Sequence, residues 1–130
     1  MIKIEHIAIW VTDLEKMRDF YCKYFAGVAN EKYVNSTKGF SSYFISFASG
    51  ARLELMHSIS LDGTSAVTGN PHLGLIHLAV SVGSNAKVDE LTALLQSDGY
   101  KVLSGPRTTG DGYYESCVLD PENNQIEIVA

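Results

Sequence analysis

Two histidines and two glutamates recur along the chain as two similar pairs, each made of one imidazole and one carboxylate. His6 and Glu54 form the first pair, and His77 and Glu127 form the second pair. The histidine and the glutamate are separated by nearly the same number of positions in both pairs. Such self-similarity is typical of an internally repeated protein. Two imidazole nitrogens and two carboxylate oxygens suit Zn, Ni, Co, Mn or Fe(II). We therefore predict that the four residues bind one divalent metal ion.

An electrostatic argument favours this metal site. Two ionised carboxylates that meet away from water destabilise a protein unless a positive charge compensates them, and a divalent cation would neutralise both. The alternative is that repeat symmetry preserves a structural polar pair in each half. A single histidine or glutamate on a strand is usually an ordinary solvated residue, and we interpret His57 and His72 as surface residues in this sense.

Short apolar segments carry the four residues. Residues 6–11 match residues 77–82, and residues 52–55 match residues 125–128. Successive side chains of a strand point to opposite faces, so each ionisable residue lies on the face away from the apolar residues that a helix would cover. If the two halves pair about a pseudo-twofold axis, the four side chains converge on one site.

A helix is predicted after the first segment of each half. Thr12 and Glu15 form a capping box in which Thr12 is the N-cap, and Gly27 would end the helix after a stripe of apolar residues at helical spacing. In the second half, Ser84 or Asn85 would be the N-cap of the equivalent helix.

Three strands are predicted after each helix, near residues 28–34, 42–48, 51–57, 100–104, 113–119 and 124–129. Each half therefore has the order β-α-β-β-β, which predicts an α+β fold of two βαβββ modules in a single domain, residues 1–130. Repeat one would cover residues 1–57, a connection residues 58–73, and repeat two residues 74–130. Because a half of about 60 residues is marginally stable alone, we expect the halves to pack on each other or on a partner chain.

Two further regions are candidates for a substrate pocket. Trp10 and Met56 share the face of the predicted metal ligands and could line an apolar pocket, although Trp10 could equally pack between halves or subunits. The glycine-bracketed segment 105–112 is predicted to be a mobile loop that could act as a lid, with Arg107 available to an anionic group and Tyr113 beside it. An ordinary exposed loop is the alternative for this segment.

Composition narrows the class of protein. The chain has 130 residues, of which 45% are apolar and 19% charged, as in a globular protein. The formal net charge of -5 argues against nucleic acid or an anionic membrane as partner, and no apolar run approaches the roughly 20 residues that span a bilayer. Two distant cysteines and the absence of a signal-peptide pattern predict a reduced, cytoplasmic protein.

Several short motifs together resemble the vicinal oxygen chelate superfamily, which includes glyoxalase I and the bleomycin resistance proteins. The motifs cover nearly the whole chain, and they are the segments His6–Val11, Asp19–Tyr21, Leu53–Leu55, Ile76–Val80, Asp120–Asn124 and Ile126–Ile128. The resemblance implies two βαβββ modules that form a curved mixed sheet around a metal site (the glyoxalase/bleomycin resistance fold). It also implies a homodimer, because family members commonly share each site between modules of two chains.

The resemblance also implies an activity. A His/Glu/His/Glu ligand set is similar to that of glyoxalase I (lactoylglutathione lyase), a carbon–sulfur lyase that converts the thiol hemithioacetal of a 2-oxoaldehyde through an enediolate. In that reading Glu127 is the catalytic base and Glu54 is a ligand that shares the proton transfer. Trp10 stands where glyoxalase I usually has an arginine for glutathione, and Ser58 stands where an asparagine is usual. A small-molecule sequestering protein and another metal-dependent epimerase or isomerase remain the alternatives.

Overall fold

The computed structural model describes residues 1–62 and 72–130, and the chain divides into two compact units, Met1–Ser65 and Ala66–Ala130. Each unit contains one helix and one mixed β-sheet. The predicted connection 58–73 falls partly outside the described residues. In the part of the chain that the structure describes, no helix is long and apolar enough to cross a membrane.

The first unit follows the predicted order of elements with one strand divided in two. Its elements are β1 (His6–Trp10), α1 (Leu14–Phe25), β2 (Val28–Ala29), β3 (Tyr33–Asn35), β4 (Phe40–Ser46) and β5 (Arg52–Ser58). The strand order is β1-β5-β4-β2, and β3 also pairs with β4. Strand β1 runs parallel to β5, whereas the other pairs are antiparallel. A parallel pair requires a crossover, and α1 lies within the connection that provides it.

The second unit repeats this arrangement. Its elements are β6 (His77–Ser81), α2 (Asn85–Ser97), β7 (Val102–Thr108), β8 (Tyr114–Leu119) and β9 (Gln125–Val129). The strand order is β6-β9-β8-β7, with β6 parallel to β9 and the remaining pairs antiparallel. The two units therefore share one topology, and the predicted α+β class with a β-α-β-β-β order in each half is confirmed.

The predicted strand 28–34 is interrupted by a bulge. Ala29 pairs with Ile45 and Tyr33 pairs with Ser42, so the β2–β3 side has one more residue than β4 between these two pairs. The side chain of Asn30 accepts a hydrogen bond from the Phe44 amide at 2.8 Å. An extra residue bends a strand and breaks its ladder, and this explains why β2 and β3 are separate.

The helix caps correct one prediction and confirm another. Asp13, not Thr12, is the N-cap of α1, since the Asp13 carboxylate accepts from the Lys16 amide at 3.0 Å. Aspartate and threonine both favour this position, so the sequence left the choice between two adjacent candidates. Ser84 is the N-cap of α2, and its hydroxyl accepts from the Lys87 amide at 3.3 Å.

Each helix packs on the apolar face of its own sheet. In the first unit the buried side chains include Met17, Tyr21, Ile45 and Leu55, and in the second they include Val88, Leu95, Ile126 and Ile128. The strands alternate as predicted, because apolar residues of β5 and β9 are buried while the intervening residues are only half-buried. The half-buried face is the one that carries the predicted metal ligands.

Candidate metal centre

The two histidine–glutamate pairs occupy the same register position in their respective sheets. In the first unit Ala8 of β1 lies opposite Glu54 of β5, which places Glu54 diagonally next to His6 on one face. In the second unit Ala79 of β6 lies opposite Glu127 of β9, and His77 is placed in the same way. The parallel β1–β5 and β6–β9 ladders therefore build the same half-site twice.

The distances within each pair match those of two ligands on one metal ion. His6 Nε2 lies 3.5 Å from a Glu54 carboxylate oxygen, and His77 Nε2 lies 3.2 Å from a Glu127 carboxylate oxygen. With metal–ligand bonds of about 2.1 Å, neighbouring ligand atoms are about 3.0 Å apart at a right angle and about 3.4 Å apart at the tetrahedral angle. Each pair therefore fits two adjacent coordination positions of a divalent metal.

In the part of each unit that the structure describes, no more than such a pair is present. Within residues 1–62 and 72–130, no group of three or more histidine, cysteine, aspartate or glutamate side chains is arranged to hold a metal ion. All four predicted ligands are only partly exposed, with 38% and 15% of the side-chain surface accessible for His6 and Glu54, and 32% and 27% for His77 and Glu127. Partial burial of this kind leaves each pair open on one side.

The His6 ring is held by a cluster that the sequence prediction did not include. Its Nδ1 is hydrogen-bonded to the carboxylate of Glu5, and Arg52 Nε donates to the same carboxylate at 2.7 Å. The hydrogen bond from His6 and the charge of Arg52 lower the pKa of Glu5 below its ordinary value. Phe44 packs edge-on against the His6 ring, with centroids 5.2 Å apart, and the Arg52 guanidinium lies 4.1 Å above the Phe44 ring.

The surroundings of the second pair are different. Cys117 of β8 lies opposite Glu127 in register, and its thiol is 3.8 Å from the Gln125 side-chain oxygen. Partial burial, and secondarily the charges of Glu127 and Glu115, raise the pKa of the Cys117 thiol. A thiol with a raised pKa is a weak nucleophile at neutral pH, so we interpret Cys117 as a packing residue.

Glu115 is a functional candidate that the sequence analysis missed. It is half-buried on β8, and it lies diagonally next to Glu127 in the β8–β9 ladder. Burial, followed by the hydrogen bond and charge of Glu127, raises the pKa of Glu115. The strand alternation of Glu115 with Cys117 gave a signal, but only the register of β8 against β9 shows that this face meets Glu127.

The predicted pocket residues lie on the expected strands with one correction. Trp10 and Met56 are register partners on the His6 face, and the Trp10 side chain is exposed. Arg107 belongs to β7 rather than to a loop, and it lies opposite Glu115 in the β7–β8 ladder. The predicted loop 105–112 is therefore wrong for its first half, because residues 105–108 are strand.

What remains of that segment is a turn. The Thr109 amide donates to the Tyr113 carbonyl at 2.7 Å, and the Gly112 amide donates to the Thr109 carbonyl at 3.1 Å. The Thr109 hydroxyl also contacts the Asp111 carboxylate. Tyr113 is exposed directly after the turn. Because residues 105–108 are strand and these hydrogen bonds hold the turn, fewer residues than predicted are available to move as a lid.

The other histidines and the cysteines lie outside the two pairs. His57 is half-buried rather than a surface residue, and its Nδ1 is hydrogen-bonded to the Val11 carbonyl at 2.9 Å. His72 is exposed, as predicted. Cys22 and Cys117 are free and half-buried.

Comparison with known proteins gives one family. The sequence profile of the glyoxalase/bleomycin resistance protein/dioxygenase superfamily matches residues 3–128. The uncharacterized protein YqjT of Bacillus subtilis is 28% identical over 130 residues, which cover 98% of both chains.

Solved structures of similar fold include enzymes of this group. A glyoxalase I from Zea mays has a TM-score of 0.77 at 20% identity, and the alignment covers 98% of this chain but only 44% of the maize chain. The trypanothione-dependent glyoxalase I of Leishmania major has a TM-score of 0.76 at 20% identity over 99% of this chain and 86% of its own. A glyoxalase family protein from Enterococcus faecalis has a TM-score of 0.76 at 22% identity over 98% and 97%. At these identities the likeness establishes the fold.

Proposed function

The chain belongs to the glyoxalase/bleomycin resistance protein/dioxygenase superfamily, and from this premise we propose that it is a metal-dependent, glyoxalase-like lyase. Its substrate would be the thiol hemithioacetal of a 2-oxoaldehyde. The observation that carries the proposal is the repeated pair, in which an imidazole nitrogen and a carboxylate oxygen lie at ligand spacing in both units.

The metal would be held by His6, Glu54, His77 and Glu127. Their two nitrogen and two oxygen donors fit Zn, Ni, Co, Mn or Fe(II), and two carboxylates balance the charge of a divalent cation. Once bound, such an ion acts as a Lewis acid that makes the substrate carbon–hydrogen bond more acidic. A metal held by these four residues would still have room for a substrate with two adjacent oxygens.

Glu127 is the proposed catalytic base. It removes the proton from one carbon of the hemithioacetal, which gives the enediolate, and returns it to the neighbouring carbon. The position of Glu115 beside Glu127 in the β8–β9 ladder supports this role, because a second carboxyl group next to the base can share the proton that the base removes. Among the described residues of the first unit, no second carboxyl group takes this position beside Glu54, and we assign Glu54 mainly to metal binding.

The proposed pocket combines apolar and charged residues. Trp10 and Met56 would contact the carbon skeleton of the substrate, while Arg107 and Tyr113 would bind its polar end. Trp10 stands where glyoxalase I usually has an arginine that binds glutathione, so a thiol other than glutathione is the better candidate. We further propose a cytoplasmic homodimer in which modules of two chains share each site.

The test compares two matched carboxamide variants. Glu127→Gln should retain metal binding through its amide oxygen and lose about 10²–10⁴-fold in turnover, since that is the usual contribution of a positioned base. Glu54→Gln should lose less turnover and more metal. Methylglyoxal with several thiols provides the assay, and metal content is measured on the same samples. Full activity of Glu127→Gln would disprove its role as base.

A sequestering protein of the same fold is the second candidate, and the replacement of the glutathione-binding arginine by Trp10 favours it. A protein that binds no stoichiometric metal and shows no turnover with any thiol after addition of Zn, Ni, Co or Mn would support this second function. Stoichiometric metal without lyase activity would instead indicate another metal-dependent reaction, such as an epimerisation.

A further inference from the structure

The two half-sites are built on the same backbone register but differ in what surrounds the histidine. In the first unit Glu5 precedes His6, Arg52 lies opposite His6, and Phe44 lies opposite Glu54. The residues at the three equivalent positions of the second unit are Ile76, Gln125 and Cys117. The sequence repeat therefore preserves the ligands and changes their neighbours.

In the first unit these neighbours form a closed ring of contacts. His6 Nδ1 is bonded to the Glu5 carboxylate, which accepts from Arg52 Nε at 2.7 Å. Arg52 stacks on Phe44 at 4.1 Å, and Phe44 packs edge-on against His6 at 5.2 Å. The Arg52 amide also donates to the Glu5 carbonyl at 2.9 Å. Each of the four side chains is thus fixed by two others.

The chemistry of this ring determines the state of the His6 imidazole. An ionised carboxylate can only accept a hydrogen bond, so the His6 nitrogen that faces Glu5 must carry the proton. In a neutral imidazole the other nitrogen then has the free lone pair. That nitrogen is Nε2, the atom that lies 3.5 Å from the Glu54 carboxylate. The free lone pair is therefore on the side of the ring that faces Glu54, where the proposed metal ion would bind.

We propose that Glu5, anchored by Arg52, is a positioning residue that fixes the tautomer and orientation of His6 for metal binding. The inference rests on the proposed function, because it assigns His6 as a metal ligand. It also makes the two halves unequal: the first is ordered in advance by charged neighbours, whereas the second has an aliphatic residue, Ile76, where the carboxylate would stand.

The repeat supplies the variants for a test. Glu5→Ile introduces the residue type of the second half, and Glu5→Gln retains an oxygen that can accept from Nδ1 while removing the charge. Ile76→Ala is the matched control at the equivalent position before His77. Two measurements are made: the ¹⁵N shifts of the four histidine rings in metal-free protein, and the affinity for Zn²⁺ alone by competition with a chromophoric chelator.

The expected result is specific to His6. Wild-type His6 should be the Nδ1-protonated tautomer, and Glu5→Ile should give a mixture of tautomers and bind Zn²⁺ about 10–100-fold more weakly, the usual effect of losing such an outer partner. Glu5→Gln should fall between the two. The control should change neither the His6 signals nor the affinity. A merely structural role of Glu5 would lower stability without moving the ring shifts.

The outcomes separate this inference from the proposed function. Unchanged ring shifts in Glu5→Ile would overturn the inference, as would an unchanged Zn²⁺ affinity. If the wild type bound no Zn²⁺, the metal-dependent function would fail. The ring shifts, which need no metal, would still establish or refute the control of the His6 tautomer by Glu5.

Discussion

Replacement of His77 by glutamine tests whether the His77–Glu127 pair binds a metal ion or is only a structural polar pair. The structure holds His77 Nε2 at 3.2 Å from Glu127, with 32% and 27% of the two side chains exposed. A pair that is this accessible contributes at most about 1 kcal/mol to stability, whichever charges its two residues carry. Without metal, His77→Gln should therefore lower the free energy of unfolding by no more than that amount.

With metal the same substitution should cost more. A metal ion at a hundred times its dissociation constant stabilises the folded protein by about 2.7 kcal/mol. Loss of one of four ligands that weakens binding about a hundredfold would leave about 0.4 kcal/mol of this stabilisation. The variant should therefore lose about 3 kcal/mol in total when metal is present, and about two-thirds of that loss is specific to the metal.

Thermal unfolding in the presence of a chelator and in excess Zn²⁺ measures the stability that His77→Gln loses without metal and with metal. At this chain length 1 kcal/mol corresponds to a shift of about 4 °C in melting temperature, so the wild type should gain about 10 °C from metal and His77→Gln less than about 2 °C. His57→Gln is the control, because His57 lies on the opposite face of β5 from Glu54 and is bonded to the Val11 carbonyl.

The control should lose similar stability in both conditions, and its gain from metal should equal that of the wild type. If His77→Gln behaved like the control, the pair would be a structural feature preserved by the repeat. The distance match between each pair and a metal ion would then have no functional meaning.

Three further predictions concern the packing that positions these strands. The buried Tyr43 hydroxyl donates to Glu15 at 3.0 Å, and Tyr43→Phe should cost about 1 kcal/mol in urea unfolding. Hydrogen bonds from Lys32 and then Tyr43 lower the pKa of Glu15 below its ordinary value of 4.5. The stabilisation is therefore complete above that pH and is lost as the pH falls through the lowered pKa, so the stability gap between wild type and Glu15→Gln should close on acidification. The buried Thr92 and Ser116 hydroxyls are 2.7 Å apart, and Thr92→Val should cost about 1–3 kcal/mol, a loss that Ser116→Ala in the same chain should partly restore; an additive loss would contradict the pairing.

The sequence predicted the ligand faces well because strand alternation is a local property. His6 and Glu54 were placed on the face away from the helix, and the observed burial pattern agrees. What the sequence did not contain is register. The contact of Glu115 with Glu127 depends on how β8 pairs with β9, and the ring around His6 depends on Arg52 lying opposite it. Neither relation follows from the order of residues within one strand.

The loop prediction was wrong for a related reason. Three glycines and a proline between residues 105 and 112 favoured a mobile segment, yet Gly105 and Pro106 lie in β7 where its pairing with β8 shifts register. Glycine and proline are tolerated at such irregularities. Their presence therefore indicated a break in the ladder and not the end of the strand.

The difference between the two half-sites also bears on which glutamate acts as base. Glu54 is the less exposed of the two, and it lies opposite the Phe44 ring in the ladder. Glu127 is more exposed, and the carboxyl group of Glu115 lies diagonally next to it in the β8–β9 ladder. A ligand that must leave the metal to move a proton needs room and a polar neighbour, whereas a ligand that only holds the metal benefits from fixed surroundings. These differences support the proposal that Glu127 rather than Glu54 is the base, for a reason independent of family resemblance.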